Sequence, residues 1–263
     1  MSRKDYFKAI WELNNQWTVG VLCTEIRKTA TANIVLSEVV GEYSNYAVPT
    51  VANPEMLDLK EIKAVLNTGK NKAAVYLLEA QQQAGFVEYL VRNNFSLDSR
   101  DVWMGYDRET YQNKAIVSQI VQITPDTFAD FAAVLGKVFS DFAGNDQYLE
   151  ICGKSLAGDF RKVQPKLNSD FFVIYENNLP VAGAGMFYSE KDNFAYLHNT
   201  GTLPEYRGRG YQTDLIRYRI NKAVEQGIDR IYTSVEQGGK SWTNMIKCDL
   251  SQLQLGNIFI EKS

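Results

Sequence analysis

The sequence predicts an α/β fold (α+β) on a mixed sheet, arranged as two domains. Three observations lead there. The chain has 263 residues, long for one compact unit and ample for two of ~100–150 residues. Short apolar runs of strand length alternate with stretches of helical period along its whole length. A Gly-rich turn joins a strand to a helix late in the chain. At 45% apolar and 22% charged residues, the composition is that of a globular chain able to bury a sizeable core.

The elements follow in order. Tyr6, Phe7, Ile10, Trp11 and Leu13 recur at helical spacing and predict a helix over 1–17. Residues 33–40 read as a strand, and Tyr43 to Val51 as a second extended segment. Leu57 to Leu66 is helical and stops at Asn67-Thr68-Gly69. Lys72 to Leu78 is a buried strand, Ala84 to Arg92 a helix, and Val102 to Tyr106 a strand. The polar stretch from Asp107 to Gln119 lacks a period, so the boundary is placed there, giving domains 1–118 and 119–263. Thr124-Pro125-Asp126 then marks a helix start, with threonine as cap and aspartate at the positive end of the dipole. Phe128, Phe131, Ala132, Leu135, Val138 and Phe139 form its inner stripe.

A second helix is expected over Tyr148–Phe160. Strands Phe171–Tyr175 and Val181–Tyr188 flank Asn177-Asn178, a pair suited to positive φ in a hairpin. Phe194–Thr202 is the next strand, Tyr211–Gln226 a helix ended by Gly227, and Ile231–Val235 a strand. Helix Ser241–Lys247 and strand Leu253–Glu261 close the chain. The order helix–strand in Glu61–Leu66 and Ala73–Leu77 returns in Tyr218–Val224 and Arg230–Thr233, a hint of an internal repeat.

Net charge is −3 with no block of one sign, which argues against nucleic acid as a partner. No run of 18 apolar residues exists to span a membrane, and the N-terminus has no signal-peptide core. Cys23, Cys152 and Cys248 are three in number and widely spaced, fitting reduced thiols and a cytoplasmic setting better than a disulfide framework. A single histidine, His198, argues against a multi-histidine metal site, and no metal ligands are assigned.

The informative segment is Leu197-His198-Asn199-Thr200-Gly201-Thr202-Leu203-Pro204-Glu205-Tyr206-Arg207-Gly208-Arg209-Gly210-Tyr211-Gln212-Thr213. A strand runs into a turn in which two glycines allow close backbone approach. The helix behind it leaves its first N–H groups unpaired and carries positive partial charge there. That combination suits a pyrophosphate, with Arg207 and Arg209 adding charge nearby. Taken alone, the same turn reads as a loop with exposed arginines.

Arg207-Gly208-Arg209-Gly210-Tyr211-Gln212 resembles the Arg/Gln-x-x-Gly-x-Gly/Ala signature of the GNAT family of N-acetyltransferases, over roughly the last 140 residues. Arg207 and Gly210 match it, while Gln212 departs from the usual Gly or Ala. The resemblance implies a GNAT-like fold with acetyl-CoA (coenzyme A) as cofactor. It implies that the backbone of Thr200, Gly201 and Thr202 pairs with the pantetheine arm, and that N–H groups from Gly208 through Arg209, Gly210, Tyr211 and Gln212 to Thr213 hold the pyrophosphate. The strand before the turn would splay from the next, with the thioester in the gap. Ser241 and Asn244 would line the far end of the cofactor, or equally cap their short helix or face solvent. The activity implied is acyl transfer to a primary amine of a small molecule or peptide.

Two groups are candidates for the base. His198 lies on the strand before the turn, with an ordinary pKa of ~6.5 suited to proton transfer near neutrality; it reads equally as a structural histidine. Glu236 follows the next strand, and its plain reading is a solvated carboxylate. The family's tyrosine acid falls on Met245 here. Tyr232 or Tyr206 serving instead, departure of the thiolate unaided, and a non-catalytic acyl-CoA-binding module all stay open. The N-terminal half resembles a degenerate copy. Its Asn53-Pro54-Glu55-Met56 lacks glycines, and its aromatics Trp11, Trp17, Tyr43, Tyr46, Phe86, Tyr89 and Trp103 read as core or as the wall of an acceptor pocket. Monomer and homodimer are both compatible with the sequence.

Overall fold

A computed structural model describes residues 2–69, 71–106, 109 and 112–262, together with the backbone of 107. Of the expected boundary stretch, Arg108, Thr110 and Tyr111 lie outside the described residues. The N-terminal half runs α1 (Arg3–Trp17), β1 (Glu25–Lys28), β2 (Ala32–Leu36), β3 (Tyr46–Pro49), α2 (Leu59–Leu66), β4 (Ala74–Leu78), α3 (Glu79–Gln81), α4 (Val87–Arg92) and β5 (Phe95–Asp107). The C-terminal half runs β6 (Ile120–Gln122), α5 (Phe128–Val138), α6 (Asn145–Leu156), β7 (Asn168–Glu176), β8 (Leu179–Ser189), β9 (Phe194–Thr202), α7 (Tyr211–Glu225), β10 (Arg230–Glu236), α8 (Lys240–Lys247) and β11 (Leu250–Glu261).

Among the described residues, all eleven strands join one sheet in the order β1-β2-β3-β4-β11-β5-β10-β9-β8-β7-β6. Each half repeats one plan. An antiparallel three-strand unit (β1-β2-β3 or β7-β8-β9) leads through a helix (α2 or α7) to a parallel strand (β4 or β10). The closing strands then cross over. β5 lies between β10 and β11, while β11 lies between β4 and β5. Each half therefore completes the sheet of the other, and the β5–β11 ladder is the seam. This is the repeat hinted at by the matching segments 61–77 and 218–233.

The seam was only partly legible. Its strand β5 begins at Phe95, not Val102. Phe95 to Asp101 has only two apolar residues, Phe95 and Leu97, among serines and charges, and its pairing comes from β11 and β10 rather than from its own hydrophobicity. Strands β1 and β6, at the two sheet ends, are only four and three residues long, too short to be read as strands without the neighbour that pairs with each. The helix start at Thr124 is a 3₁₀ turn over Pro125–Thr127, and the cap runs the other way: Thr127 Oγ1 accepts the Thr124 N–H at 3.0 Å. The Asn177-Asn178 hairpin is as expected, with φ of 51° and 63°.

Helices cover both faces. One face buries Leu215, Ile216, Ile220 and Ala223 of α7, and Ile62, Leu66 and Leu90 of α2 and α4. The other packs α5 and α6 over β7 and β8 and lays α1 across the seam. Trp17 of α1 stacks on Phe194, touches Phe187 and Tyr196, and donates from Nε1 to the Tyr232 hydroxyl at 2.8 Å. The first helix of one half is thus anchored in the core of the other. Cys23, Cys152 and Cys248 are buried and unpaired. No helix among the described residues is long and apolar enough to cross a membrane.

At the seam, Gly256 of β11 leaves room for Tyr76. A Cβ there would stand 1.9 Å from the Tyr76 hydroxyl, which accepts the Trp103 Nε1–H at 2.7 Å. Gly256→Ala is expected to lower stability by about 1–3 kcal/mol through overpacking. Urea melts followed by tryptophan fluorescence check it, and an unchanged midpoint would mean that Tyr76 moves aside freely.

Candidate functional site

The parallel strands β9 and β10 pair only at Phe194, Ala195 and Tyr196 with Arg230, Ile231 and Tyr232. Beyond Tyr196 they part, although both continue, to Thr202 and Glu236. Near the start of the gap one side-chain bond bridges it, Thr233 Oγ1 donating to the Leu197 carbonyl at 2.6 Å. On its far side β9 is held by β8, with Ala182, Gly183 and Ala184 opposite Thr202, Gly201 and Thr200. Thr200, Gly201 and Thr202 thus present a strand edge to an open gap, as an added extended chain requires. Val138 of α5 packs so closely on Gly201 that a Cβ would meet it at 2.7 Å, which fixes the strand from behind.

The Gly-rich turn follows at the mouth of the gap. Gly208 and Gly210 have φ of 82° and 88°, a region closed to most side chains. Both face open space, with no heavy atom within 4 Å of a built Cβ. Gly210 starts α7 without a side-chain cap. The N–H groups from Gly208 to Thr213 find no acceptor among the described residues; the turn's bonds come only at Arg207 and Asp214, to the Pro204 and Gly210 carbonyls. Six unpaired donors at the positive end of a four-turn helix form an anion cradle.

The side chains around the cradle behave differently from one another. Arg207 Nε donates to the Thr202 carbonyl at 3.2 Å, tying the turn to β9. Arg209 lies over the Tyr206 ring at 5.0 Å and is paired with Glu176 of β7, so its charge is partly spent within the protein. The Tyr211 hydroxyl donates to the same carboxylate. Tyr211, then Arg209, holds the Glu176 carboxyl below its ordinary range. Gln212 turns sideways rather than into the cradle: its Nε2 donates to Ser241 Oγ at 3.1 Å, and its Oε1 accepts from Asn244 Nδ2 at 2.5 Å. The three polar residues that the sequence placed separately are therefore one chain locking α7 to α8.

His198 does not face solvent. It is 5% exposed, stacked on Phe187 at 4.4 Å and flanked by Phe171 and Tyr196. Its Nδ1 shares a hydrogen bond with the Tyr148 hydroxyl, and Nε2 has no partner among the described residues. Burial, helped by the charge of Arg219, pushes its pKa well below the imidazole range. The ring is neutral at pH 7, and taking up a proton is disfavoured.

Next to it β9 bulges. Ala184 opposes Thr200 and Gly185 opposes His198, so Asn199 is the extra residue, with φ of 27°. Arg219 of α7 fills the space behind this bulge. It is fully buried with no carboxylate partner among the described residues, and donates to the carbonyls of Gly185 (2.7 Å), His198 (3.1 Å) and Leu215 (3.0 Å) and to Thr200 Oγ1 (2.6 Å). Burial lowers its pKa to about 9. Nothing in the sequence singled Arg219 out, since an arginine at helical spacing reads as a surface residue.

Glu236 is exposed at the open end of β10. In register beside it, across the seam, stands Asp101 of β5. Burial, then the charges of Glu236 and Asp98, raises the Asp101 pKa to about 7. Sequence reading missed Asp101 because it lies in the part of β5 that has no strand signal. Met245 is buried in α8 at 3% exposure, and α8 carries no tyrosine. Tyr232 is fully buried and engaged by Trp17 and Asn14, and Tyr206 lies beside Arg209.

The corresponding helix of the N-terminal half has the opposite character. The α2 N-terminus is capped by Asp58, whose Oδ1 accepts the Glu61 N–H at 2.9 Å. A carboxylate sits where an anion would have to bind, and glycines are absent from the preceding 3₁₀ turn Pro54–Met56. Anion binding there is opposed electrostatically.

Comparison with known proteins bears on the family and the fold. Residues 145–247, from α6 through α8, match the model of the acetyltransferase (GNAT) family. Solved structures with similar folds include a GCN5-related N-acetyltransferase from Kribbella flavida, at 14% identity and TM-score 0.67, with 98% of this chain and 95% of that one covered. A functionally unknown conserved protein from Staphylococcus epidermidis follows at 13% identity and TM-score 0.65, covering 93% and 96%. A tandem GNAT protein from the clavulanic acid biosynthesis pathway has 9% identity and TM-score 0.58, covering 89% and 80%. At such identities the likeness concerns the fold, which it extends over both halves. No curated protein matches the chain significantly.

His198 is the only histidine, so its titration can be read without assignment. The unfolded imidazole takes up a proton as pH falls through ~6.5, while the folded one resists it. Stability from this group is therefore full above that pH and is lost as the pH falls below it. The imidazole NMR signals should stay unshifted from about pH 5.5 to 7.5, and His198→Gln should flatten the acid slope of the unfolding free energy. A midpoint near the ordinary value would contradict the buried, neutral ring.

Proposed function

From a GNAT domain over residues 145–247, within a GNAT-like fold of both halves, we propose that this protein is an N-acyltransferase. It carries an acetyl or other short acyl group from acetyl-CoA to a primary amine, in a cytoplasmic setting. The observation that carries the reading is the contrast between two equivalent helix starts: α2 is closed by Asp58, and α7 opens on six unpaired N–H groups over two glycines with free space above them.

The residues present fit coenzyme A. The amides of Gly208, Arg209, Gly210, Tyr211, Gln212 and Thr213 hold its diphosphate, and Arg207 keeps the turn against β9. The open edge of Thr200, Gly201 and Thr202 pairs with the pantetheine arm. Ser241 and Asn244 act through Gln212, which they keep out of the cradle. When bound, acetyl-CoA supplies an acyl group activated as a thioester. The bulge at Asn199 distorts the β8–β9 ladder just beyond the point where β9 leaves β10, and Arg219 keeps that distortion in place. Of the two bases the sequence offered, Glu236 is at the mouth of the gap and reachable by a water or an amine. His198 lies behind Tyr196 and is held neutral, which suits positioning of the bulge better than proton uptake.

A second reading, an acyl-CoA-binding regulatory module, is favoured by one observation: α8 has Met245 where an acid would protonate the leaving thiolate. Turnover separates the two. Release of free thiol from acetyl-CoA in the presence of an amine belongs to the enzyme alone.

Gly210→Glu is expected to abolish acetyl-CoA binding, by strain at positive φ and by a carboxylate beside the diphosphate. Calorimetric titration of acetyl-CoA into folded variant, with circular dichroism as the fold check, tests this. Full affinity in the variant would remove the cradle from the reading.

A further inference from the structure

The sheet face under α1 carries a second group of polar residues at the seam. Asp101 and Glu236 stand directly opposite each other on β5 and β10. Like charges so placed repel, and neither carboxylate has a basic partner among the described residues. Ser99 projects to the same face two positions from Asp101. It is 7% exposed, and its Oγ has no partner in hydrogen-bonding geometry among the described residues; the Tyr43 hydroxyl is close enough for Ser99 to oppose the rise of its pKa. Tyr76 and Tyr46 of β4 and β3 lie on the same face, their rings 5.3 Å apart. Tyr46 and Tyr196 are only half-buried, yet burial raises both phenols, to about 12 for Tyr196, and the Asp101 charge adds to each shift. Tyr196 is also the last β9 residue paired with β10. The Asp101 carboxyl is therefore within electrostatic reach of the point at which the thioester gap opens.

Two unpaired carboxylates, a buried hydroxyl lacking a partner and several tyrosine rings converge from both halves. The missing component is a cation. We propose, resting on the acyltransferase reading above, that this seam is the acceptor site, that it takes a small primary amine bearing no carboxylate, and that Asp101 receives the proton of the incoming ammonium. Aromatic faces and carboxylates attract an alkyl- or arylalkylammonium, and the same negative charges repel an acceptor that carries its own carboxylate. The amine gives one proton to Asp101, and its freed lone pair forms the C–N bond. As the C–S bond breaks, its electron pair leaves on sulfur. The second amine proton passes to that thiolate, giving the free thiol. The N-terminal half, closed to coenzyme A by Asp58, contributes the base and most of the aromatic wall.

A carboxyl with a pKa of about 7 is divided between its two forms at neutrality, which suits a proton acceptor. The groups that face it are Glu236 from β10, Tyr46 and Tyr76 from β3 and β4, Tyr196 from β9 and Tyr43 from the β2–β3 loop, with Asp98 on its own strand; β11 presents only Gly256. A rate that needs the carboxylate rises with pH through that value.

The test uses the full chain and Asp101→Asn, with putrescine and tyramine as probes and ornithine and tyrosine as their carboxylated counterparts. Amine binding is measured by calorimetry with and without acetyl-CoA, and acetyl-CoA binding separately. Putrescine or tyramine should bind at least about tenfold more tightly than its counterpart. In Asp101→Asn that affinity should fall, thiol release should drop on the order of a hundredfold, and the rise of rate through about pH 7 should vanish. Its acetyl-CoA affinity should be unchanged and its melting temperature no lower, since the repulsion with Glu236 is relieved. Equal or tighter binding of the carboxylated amines, or a variant with the parent's turnover and pH profile, overturns the proposal. Absence of acetyl-CoA binding by the parent chain, with amine binding intact, strikes the acyltransferase reading instead and leaves the seam as an amine site.

Discussion

The β5–β11 ladder is the interaction on which the rest of the structure depends. Two long strands, one from each half, pair antiparallel from Leu250↔Tyr106 to Glu261↔Phe95. Each then offers its other edge to the opposite half. Without β11, β4 would be an edge strand with its apolar face half covered; without β5, β10 would be the same. Edges of that kind are unstable when exposed, so the two halves have little reason to exist apart. The same exchange fixes the register that sets Asp101 against Glu236, and it places α1 so that Trp17 closes the core of the other half.

Within this shared sheet the halves have diverged at one electrostatic position. α2 and α7 are equivalent helices, each following a three-strand unit and leading to a parallel strand. Asp58 satisfies an N–H at one, and the glycines at the other leave the N–H groups bare. Replacing a neutral, open turn by a carboxylate cap changes the sign of the local charge while making the helix itself more stable. The N-terminal half is thereby a better-capped structure and a worse anion site.

The bulge at Asn199 shows how a distorted strand is sustained in a core. Breaking the β8–β9 register leaves carbonyls at Gly185 and His198 facing inward. Arg219 answers them with hydrogen bonds to oxygen dipoles rather than to a counter-charge, an arrangement that keeps a cation buried because every donor direction named is used. His198 pays the electrostatic consequence: beside Arg219 and among aromatic rings it stays neutral. Bulge, arginine and histidine act as one unit beside the gap between β9 and β10.

Much of this was legible from residues in order. The helix and strand periods located α1, α2, β9, α7 and β10 nearly to the residue, because each buries a continuous face whose pattern is local. Asn177-Asn178 and Gly208-x-Gly210 announced their turns, because positive φ selects those residue types. What the linear pattern left out was set by partners distant in sequence. The polar half of β5 became a strand only because β10 and β11 flank it, and β1 and β6 only because an edge was available. Asp101, Arg219 and the Gln212–Ser241–Asn244 chain acquired their character from neighbours some 20 to 135 positions away. By itself the sequence determined the local backbone and the glycine turn that opens α7, since propensity, capping and φ are short-range properties. The tertiary structure alone decided which strands exchange and which carboxylate is lifted toward neutrality, since pairing edges, burial and charge proximity arise only when remote segments are brought together.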